Sequence, residues 1–302
     1  MQLKKLTHLY KYYLPILLLG TFSFLVNYHY GFIGLMPMDN TVLYNGGYRI
    51  LNGYIPFTDY WLVTGPLLDY LNALFFQIFG LSWNAFIIHS SFFNLLLAIS
   101  SYLLFLELKL SNKYSLIYSA FISILFYPVV GTPFVDHHST FFLILAFYSL
   151  ILAINKKKYF YYLIIPNFFC LSFLSKQTPA VYGLFVVILL ILTFCYFDKK
   201  NAKKIIYYSV IGSLISFFLL FLFFLTTKIN LSNFLTQYLL FAGSIGKHRF
   251  SAYESNIFDA ILSFKFIFYF IFILAIILFN LVIQKKSKKE EIFTIAISIF
   301  LA

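Results

Sequence analysis

Asp39, Asp136 and Lys176 are the residues of this chain best placed to do chemistry, because each is a charge at the edge of a long apolar run. Charges are scarce here: 11% of the 302 residues carry one. A carboxylate within hydrogen-bond reach of a hydroxyl can take its proton. A cation beside a departing oxyanion stabilises the developing charge, more strongly in a water-poor site than in bulk water. Arg49, the pair His137 and His138, Gln177, and the cluster of Lys247 and Arg249 extend this set, and it contains both arginines of the chain.

Each candidate also has a structural explanation. Asp39 can cap a helix opening at Thr41, and Asp136 can favour the positive N-terminus of the helix it opens. Lys176 stands in Ser175-Lys-Gln-Thr-Pro179, where a cation meets a helix C-terminus, Thr178 can cap the next helix and Pro179 suits its first turn. His137 and His138 could position a phosphate or share a metal ion with Asp136. Neighbouring side chains on a helix point apart, however, so no metal cofactor is expected. Gly243 and Gly246, just before Lys247 and Arg249, could let a loop fold over an anion; an ordinary exposed loop is the simpler reading.

The elements that must carry these residues follow from composition. Hydrophobic residues make up 62% of the chain and the mean hydropathy is +0.88, which no soluble surface can accommodate. The hydrocarbon core of a bilayer is about 30 Å thick, so a helical crossing needs about 20 apolar residues. The runs are continuous rather than alternating, which favours helices over a barrel. Spans are predicted over 12–34, 85–106, 114–131, 139–155, 159–175, 180–197, 205–226 and 266–284. A last apolar run starts at Ile292 and is cut off at Ala302, so a missing C-terminal part is expected. The chain reads as an all-α polytopic membrane protein with a single transmembrane domain over 1–302.

Most lysines fall in alternate connections: Lys4, Lys5 and Lys11, then Lys109 and Lys113, Lys156 to Lys158, Lys199, Lys200, Lys203 and Lys204, and the four lysines between Lys285 and Lys289. Basic short loops stay in the cytoplasm, which places the N-terminus inside and the segments 35–83 and 227–262 outside. The net charge of +12 thus reflects topology, and no nucleic-acid partner is expected. Cys170 and Cys195 fall inside predicted spans and offer no disulfide framework. The first span is too long for a signal peptide and lacks a cleavage site, and no phosphate-binding Walker loop is present.

The first outer loop is structured in pattern. Thr41 to Leu51 reads as a short helix ended by Asn52-Gly53, and Gly65-Pro66 opens a second over Leu67 to Phe79, ended by Gly80. Both are expected to lie along the membrane surface, with Asp59 and Asp69 shaping the loop.

The order of one spanning helix, an acidic residue just after it, a loop reading Y-x-G-G-Y-R-I-L-N-G-Y-I-P-F-T-D-Y-W-L-V-T-G-P, and an apolar N-A-L-F-F-Q-I-F-G resembles bacterial members of the glycosyltransferase C superfamily, in the protein O-mannosyltransferase and aminoarabinose transferase group. The resemblance covers residues 20 to 185, and the remainder by topology. It implies a bundle of eight to nine transmembrane helices in the plasma membrane, with an extracytoplasmic active site. It further implies a polyprenyl-phosphate sugar donor and a lipid, glycan or protein acceptor. Asp39 matches the catalytic acid of the first outer loop, and Asp136 stands where a second acidic site lies. Asn40 follows Asp39 where the group often has a second acid, which disfavours a metal-binding pair. With Asp39 as base and Lys176 and Arg49 as phosphate partners, one inverting displacement suffices. The competing class is a transporter or flippase whose pathway the same charges would line. No internal repeat is present, and Gly and Pro cluster in outer loops rather than inside spans.

Overall fold

The computed structural model describes residues 2–34 and 37–245, together with isolated helical positions between 258 and 276. Lys247, Arg249, Lys285 to Lys289, the run from Ile292, and most of the 227–262 loop beyond 245 and of the 266–284 span lie outside the described residues. The chain divides into two units, residues 1–183 with 207–241, and residues 184–206 with 242–302.

In chain order the helices are α1 (Gln2–Tyr30), α2 (Pro37–Leu51), α3 (Leu67–Phe79), α4 (Trp83–Glu107), α5 (Asn112–Leu125), α6 (Val135–Lys156), α7 (Phe160–Ser175), α8 (Gln177–Phe197), α9 (Lys199–Thr227) and α10 (Leu231–Phe234). A 3-10 turn (Tyr127–Val129) follows α5, and a π-helical turn (Leu235–Phe241) follows α10. Among the described residues there is no extended strand, and four helices are long and apolar enough to cross a membrane: α4, α6, α8 and α9. The shorter apolar helices are α3 and α7. The span predicted over 114–131 stops as an α-helix at Leu125. Pro128 has no N–H to give and disfavours helical backbone in the residue before it, so the chain tightens into the 3-10 turn instead.

Within the first unit α1 packs on α4, α4 on α5 and α6, α6 on α7, and α2 on α3. Between apolar helices in lipid there is little hydrophobic driving force, so small and polar side chains supply the contacts. The Asn27 amide donates to Ser90 and Ser91 Oγ, both at 3.0 Å, joining α1 to α4. Asn94 donates to the carbonyls of Ser23 at 3.0 Å and Ser123 at 2.9 Å, gathering α1, α4 and α5. Ser139 and Ser172 pair at 2.9 Å between α6 and α7. Leu214, Phe217, Phe218 and Phe221 of α9 are exposed, as side chains facing lipid would be.

The second unit is described mainly by the turn between α8 and α9. Asp198 Oδ2 accepts from the Asn201 side chain at 2.8 Å, and Lys199 lies 5.6 Å from the Tyr196 ring centre.

The connection between α1 and α4 is ordered by its turns. Gly53 (φ +80°) ends α2 and Gly80 (φ +82°) ends α3, in the left-handed region where glycine is free of strain. Phe57 adopts φ 63° without being glycine, and its carbonyl accepts from Asn233 and Gln237 side chains, both at 3.0 Å. Gln237 also accepts from Leu62 N–H at 3.0 Å, so the π-helical turn clamps the loop. Further along, Gly65 N–H donates to the Ser175 carbonyl at 3.0 Å, and a Cβ at Gly65 would lie 1.8 Å from the Leu174 carbonyl oxygen. Gly65→Ala is therefore expected to destabilise the protein by about 3 kcal/mol or more, read as a lowered midpoint of thermal unfolding in detergent.

Candidate functional site

Within the first unit the Lys156 turn and Asp136 lie at opposite ends of α6. At one end Lys156 pairs with Glu107 at 2.9 Å, beside Lys109 and Lys157. At the other meet the end of α1, the start of α2, the loop into α6 and the α7–α8 junction, as the contacts below establish.

Asp136 lies in the first turn of α6, where a negative charge is favoured by the helix dipole. Lys176 is the extended residue ending α7, and its Nζ donates to Asp136 Oδ2 at 2.7 Å. The Asp136 side chain is 40% exposed and the Lys176 side chain 29%. A pair this exposed contributes at most about 1 kcal/mol, so a competing anion can draw Lys176 away at small cost. The junction itself is held firmly: Ser139 Oγ donates to the Lys176 carbonyl at 3.1 Å, and Lys176 N–H donates to the Ser172 carbonyl at 3.0 Å. Gln177 turns its amide to the Tyr238 carbonyl at 3.2 Å, and its Oε1 is buried without a hydrogen-bond partner.

Asp39 sits inside the first turn of α2 and is exposed. Because α2 begins at Pro37, Asp39 is not the cap of a helix at Thr41. Its neighbour Asn40 is 1% exposed and accepts from Thr132 Oγ1 at 2.9 Å. Thr132 precedes Asp136 by four residues, so this bond seats the Asp39 turn on the loop that leads into α6. Beside it opens a cavity of about 570 Å³ lined by Gly31, Phe32, Ile33, Gly34, Thr41, Tyr44 and Trp83.

Arg49 does not join Lys176 directly. Its guanidinium stands 4.8 Å above the Tyr60 ring, and Tyr60 Oη donates to Asp69 Oδ2 at 2.7 Å. Asp69 is 2% exposed and lies against Gly46, where a Cβ would come within 2.2 Å of Oδ1. Burial pushes the Asp69 carboxyl up to about 7, against the opposing pull of the Tyr60 hydrogen bond and the Arg49 charge. Burial together with Asp69 also raises Tyr60. Asp59 accepts from Ile55 N–H at 2.7 Å, a local turn bond.

The raised Asp69 has a pH consequence. A group that binds its proton more tightly when folded stabilises the fold fully below its unfolded value, and this contribution is lost as pH rises through the folded value. Between pH about 4 and about 7 the wild type should therefore lose stability, by up to roughly 4 kcal/mol, relative to Asp69→Asn. Thermal unfolding of the two proteins across that range reads the difference.

His138 is fully buried. Its Nδ1 meets Tyr127 Oη at 3.1 Å and the Phe134 carbonyl at 3.2 Å, and its Nε2 meets His89 Nε2 at 3.0 Å. His137 packs among Phe126, Tyr127 and Phe134, and its Nδ1 is buried without a hydrogen-bond partner. Both ring nitrogens of His138 are thus taken up by buried contacts. Among the described residues no three His, Cys, Asp or Glu side chains converge as a metal site needs. The sequence reading passed over His89, Asn72 and Tyr127. An ionisable residue within a span, as His89 is, was the available signal.

The sequence matches the family described as dolichyl-phosphate-mannose-protein mannosyltransferase over residues 63–224, more than half of the chain. The matched stretch holds Asp69, Asp136, His138, Lys176 and Gln177, and begins after Asp39 and Arg49. No curated protein and no solved structure matches.

Proposed function

The chain belongs to the dolichyl-phosphate-mannose-protein mannosyltransferase family, and we propose that it transfers a sugar from a polyprenyl-phosphate donor to an acceptor hydroxyl at the extracytoplasmic face of the membrane. The observation that carries this reading is the weakly held Asp136–Lys176 pair at the end of the unit where Asn40 seats Asp39. A transporter would place the same charges along a pathway, and family membership does not favour it.

In the proposed reaction Asp39 takes the proton of the acceptor hydroxyl. The hydroxyl oxygen attacks the anomeric carbon from the face opposite the phosphate, and the bond from that carbon to the phosphate oxygen breaks. Its electron pair leaves with the polyprenyl phosphate, and the configuration at the carbon inverts. Lys176, released from Asp136, stabilises the oxyanion. Arg49 adds positive potential from its place on Tyr60, and Gln177 offers its unpaired Oε1 to a substrate hydroxyl. Lys247 and Arg249 are proposed as further phosphate-binding residues. Neither a metal ion nor another cofactor has a part in this scheme. The architecture proposed around it has eight to nine crossings, with the N-terminus in the cytoplasm and the protein in the plasma membrane.

The test is transfer from a radiolabelled polyprenyl-phosphate sugar by the purified protein in detergent, compared with Asp39→Asn. Turnover that survives this substitution unchanged removes Asp39 from the mechanism.

A further inference from the structure

A chain of buried hydrogen bonds runs through the first unit and ends one helical turn from Asp39. Tyr127, His138, His89 and Asn72 each have no solvent exposure. They come from the 3-10 turn, α6, α4 and α3 in turn, and they are walled by aromatic rings: Phe75 stacks on His89 with ring centres 4.5 Å apart, and Phe93 lies 4.5 Å from His138. Leaving any of these polar groups unpaired in such surroundings costs about 1–3 kcal/mol.

The proton order along the chain is set from one end. The Asn72 amide nitrogen donates to the Leu43 carbonyl at 3.0 Å, so Asn72 Oδ1 is the atom facing His89 Nδ1 at 2.7 Å. An oxygen there requires a proton on His89 Nδ1. The neutral His89 ring then has a bare Nε2, which accepts from His138 Nε2–H at 3.0 Å. In the neutral ring His138 Nδ1 is left as an acceptor and takes Tyr127 Oη–H at 3.1 Å, so its 3.2 Å approach to the Phe134 carbonyl is a close contact and not a hydrogen bond. With both rings neutral, reversing any link sets two lone pairs or two protons against each other.

From this we infer that His89 and His138 are positioning residues that register the Asp39 helix against the Asp136 helix. The inference rests on the reaction proposed above for its kinetic consequence, though not for its geometric one. Leu43, at the receiving end, lies four residues beyond Asp39 on α2. His138 lies two residues beyond Asp136 on α6. The relay therefore joins the backbones carrying the two carboxylates through bonds whose direction and length are both specified. Apolar packing would fill the same space without fixing that register.

The experiment places spin labels at Val42 on α2 and Val129 in the 3-10 turn, both exposed at 60% and 72%, after Cys170 and Cys195 are replaced by serine. The distance distribution between them is measured in wild type, in His89→Leu, and in His89→Leu combined with His138→Leu. The single variant strands the His138 ring and is expected to unfold at lower temperature. The double variant removes both rings of the pair and is expected to regain part of that stability. In the double variant the distance distribution should nevertheless stay broader than in wild type. Its kcat with polyprenyl-phosphate mannose should remain at least about tenfold low, with the donor KM within about twofold, because misplacement of reacting groups acts on the chemical step. A double variant that folds and shows the wild-type distance distribution overturns the proposal. If the wild type transfers no sugar, the proposed reaction fails and the distance measurement still decides the positioning role.

Discussion

Asp39→Asn is expected to lower the kcat for sugar transfer by about 10²- to 10⁴-fold, the range that a positioned general base contributes. The substitution keeps the side chain's size and removes its ability to take a proton. Stability should be nearly unaffected, because Asp39 is exposed and the bond that seats its turn on the α6 loop belongs to the neighbouring Asn40. The thermal midpoint should then shift by no more than surface substitutions usually cause, about 0.5 kcal/mol in stability terms. Asn40→Ala should give the opposite pattern. It deprives buried Thr132 of its acceptor and is expected to destabilise the protein by about 1–3 kcal/mol. Initial rates and unfolding curves of the two variants, measured side by side, separate a group that reacts from one that holds.

Lys176→Gln should produce the second large effect, a loss of about 10²- to 10³-fold in kcat, comparable to removing one preorganised donor from a developing oxyanion. Little of this loss can come from the fold, since a pair as exposed as Lys176 and Asp136 contributes at most about 1 kcal/mol. Lys176→Arg should recover part of the rate, because the charge is retained while the fork of the guanidinium cannot occupy the same point. Asp136→Asn frees the lysine without removing it. That variant should therefore lose less activity than Lys176→Gln. Rates of transfer from polyprenyl-phosphate mannose as a function of donor concentration check this ordering. A Lys176→Gln enzyme with wild-type kcat would assign the lysine to the helix end alone.

Much of the helical order was legible because continuous apolar runs bounded by Gly, Pro and Lys leave few alternatives. The starts and stops of α3, α4 and α7 lie within two residues of those read from the pattern. α5 ended early because Pro128 sits inside a run that hydropathy alone joins through to Gly131. Asp136 and Lys176 were both expected at span ends, but their 2.7 Å contact joins α6 to the end of α7 and no local pattern shows it. Arg49 was harder to place. Its charge suggested a phosphate, but its planar face found Tyr60, and the buried Asp69 beyond it could not be told from a loop-shaping acid by spacing. The histidine relay was invisible for a related reason. Asn72, His89, Tyr127 and His138 come from four elements far apart in the chain, and no local pattern links them.

The most direct measurement supplies the purified full-length protein with radiolabelled polyprenyl-phosphate mannose and, separately, with the same sugar on a nucleotide diphosphate. Release of sugar from the lipid carrier is followed for wild type and Asp39→Asn. The lipid-linked donor should be consumed by the wild type and spared by Asp39→Asn, and the nucleotide donor should be consumed by neither. Consumption of the nucleotide donor, or of the lipid-linked donor at equal rates by both proteins, would contradict the account.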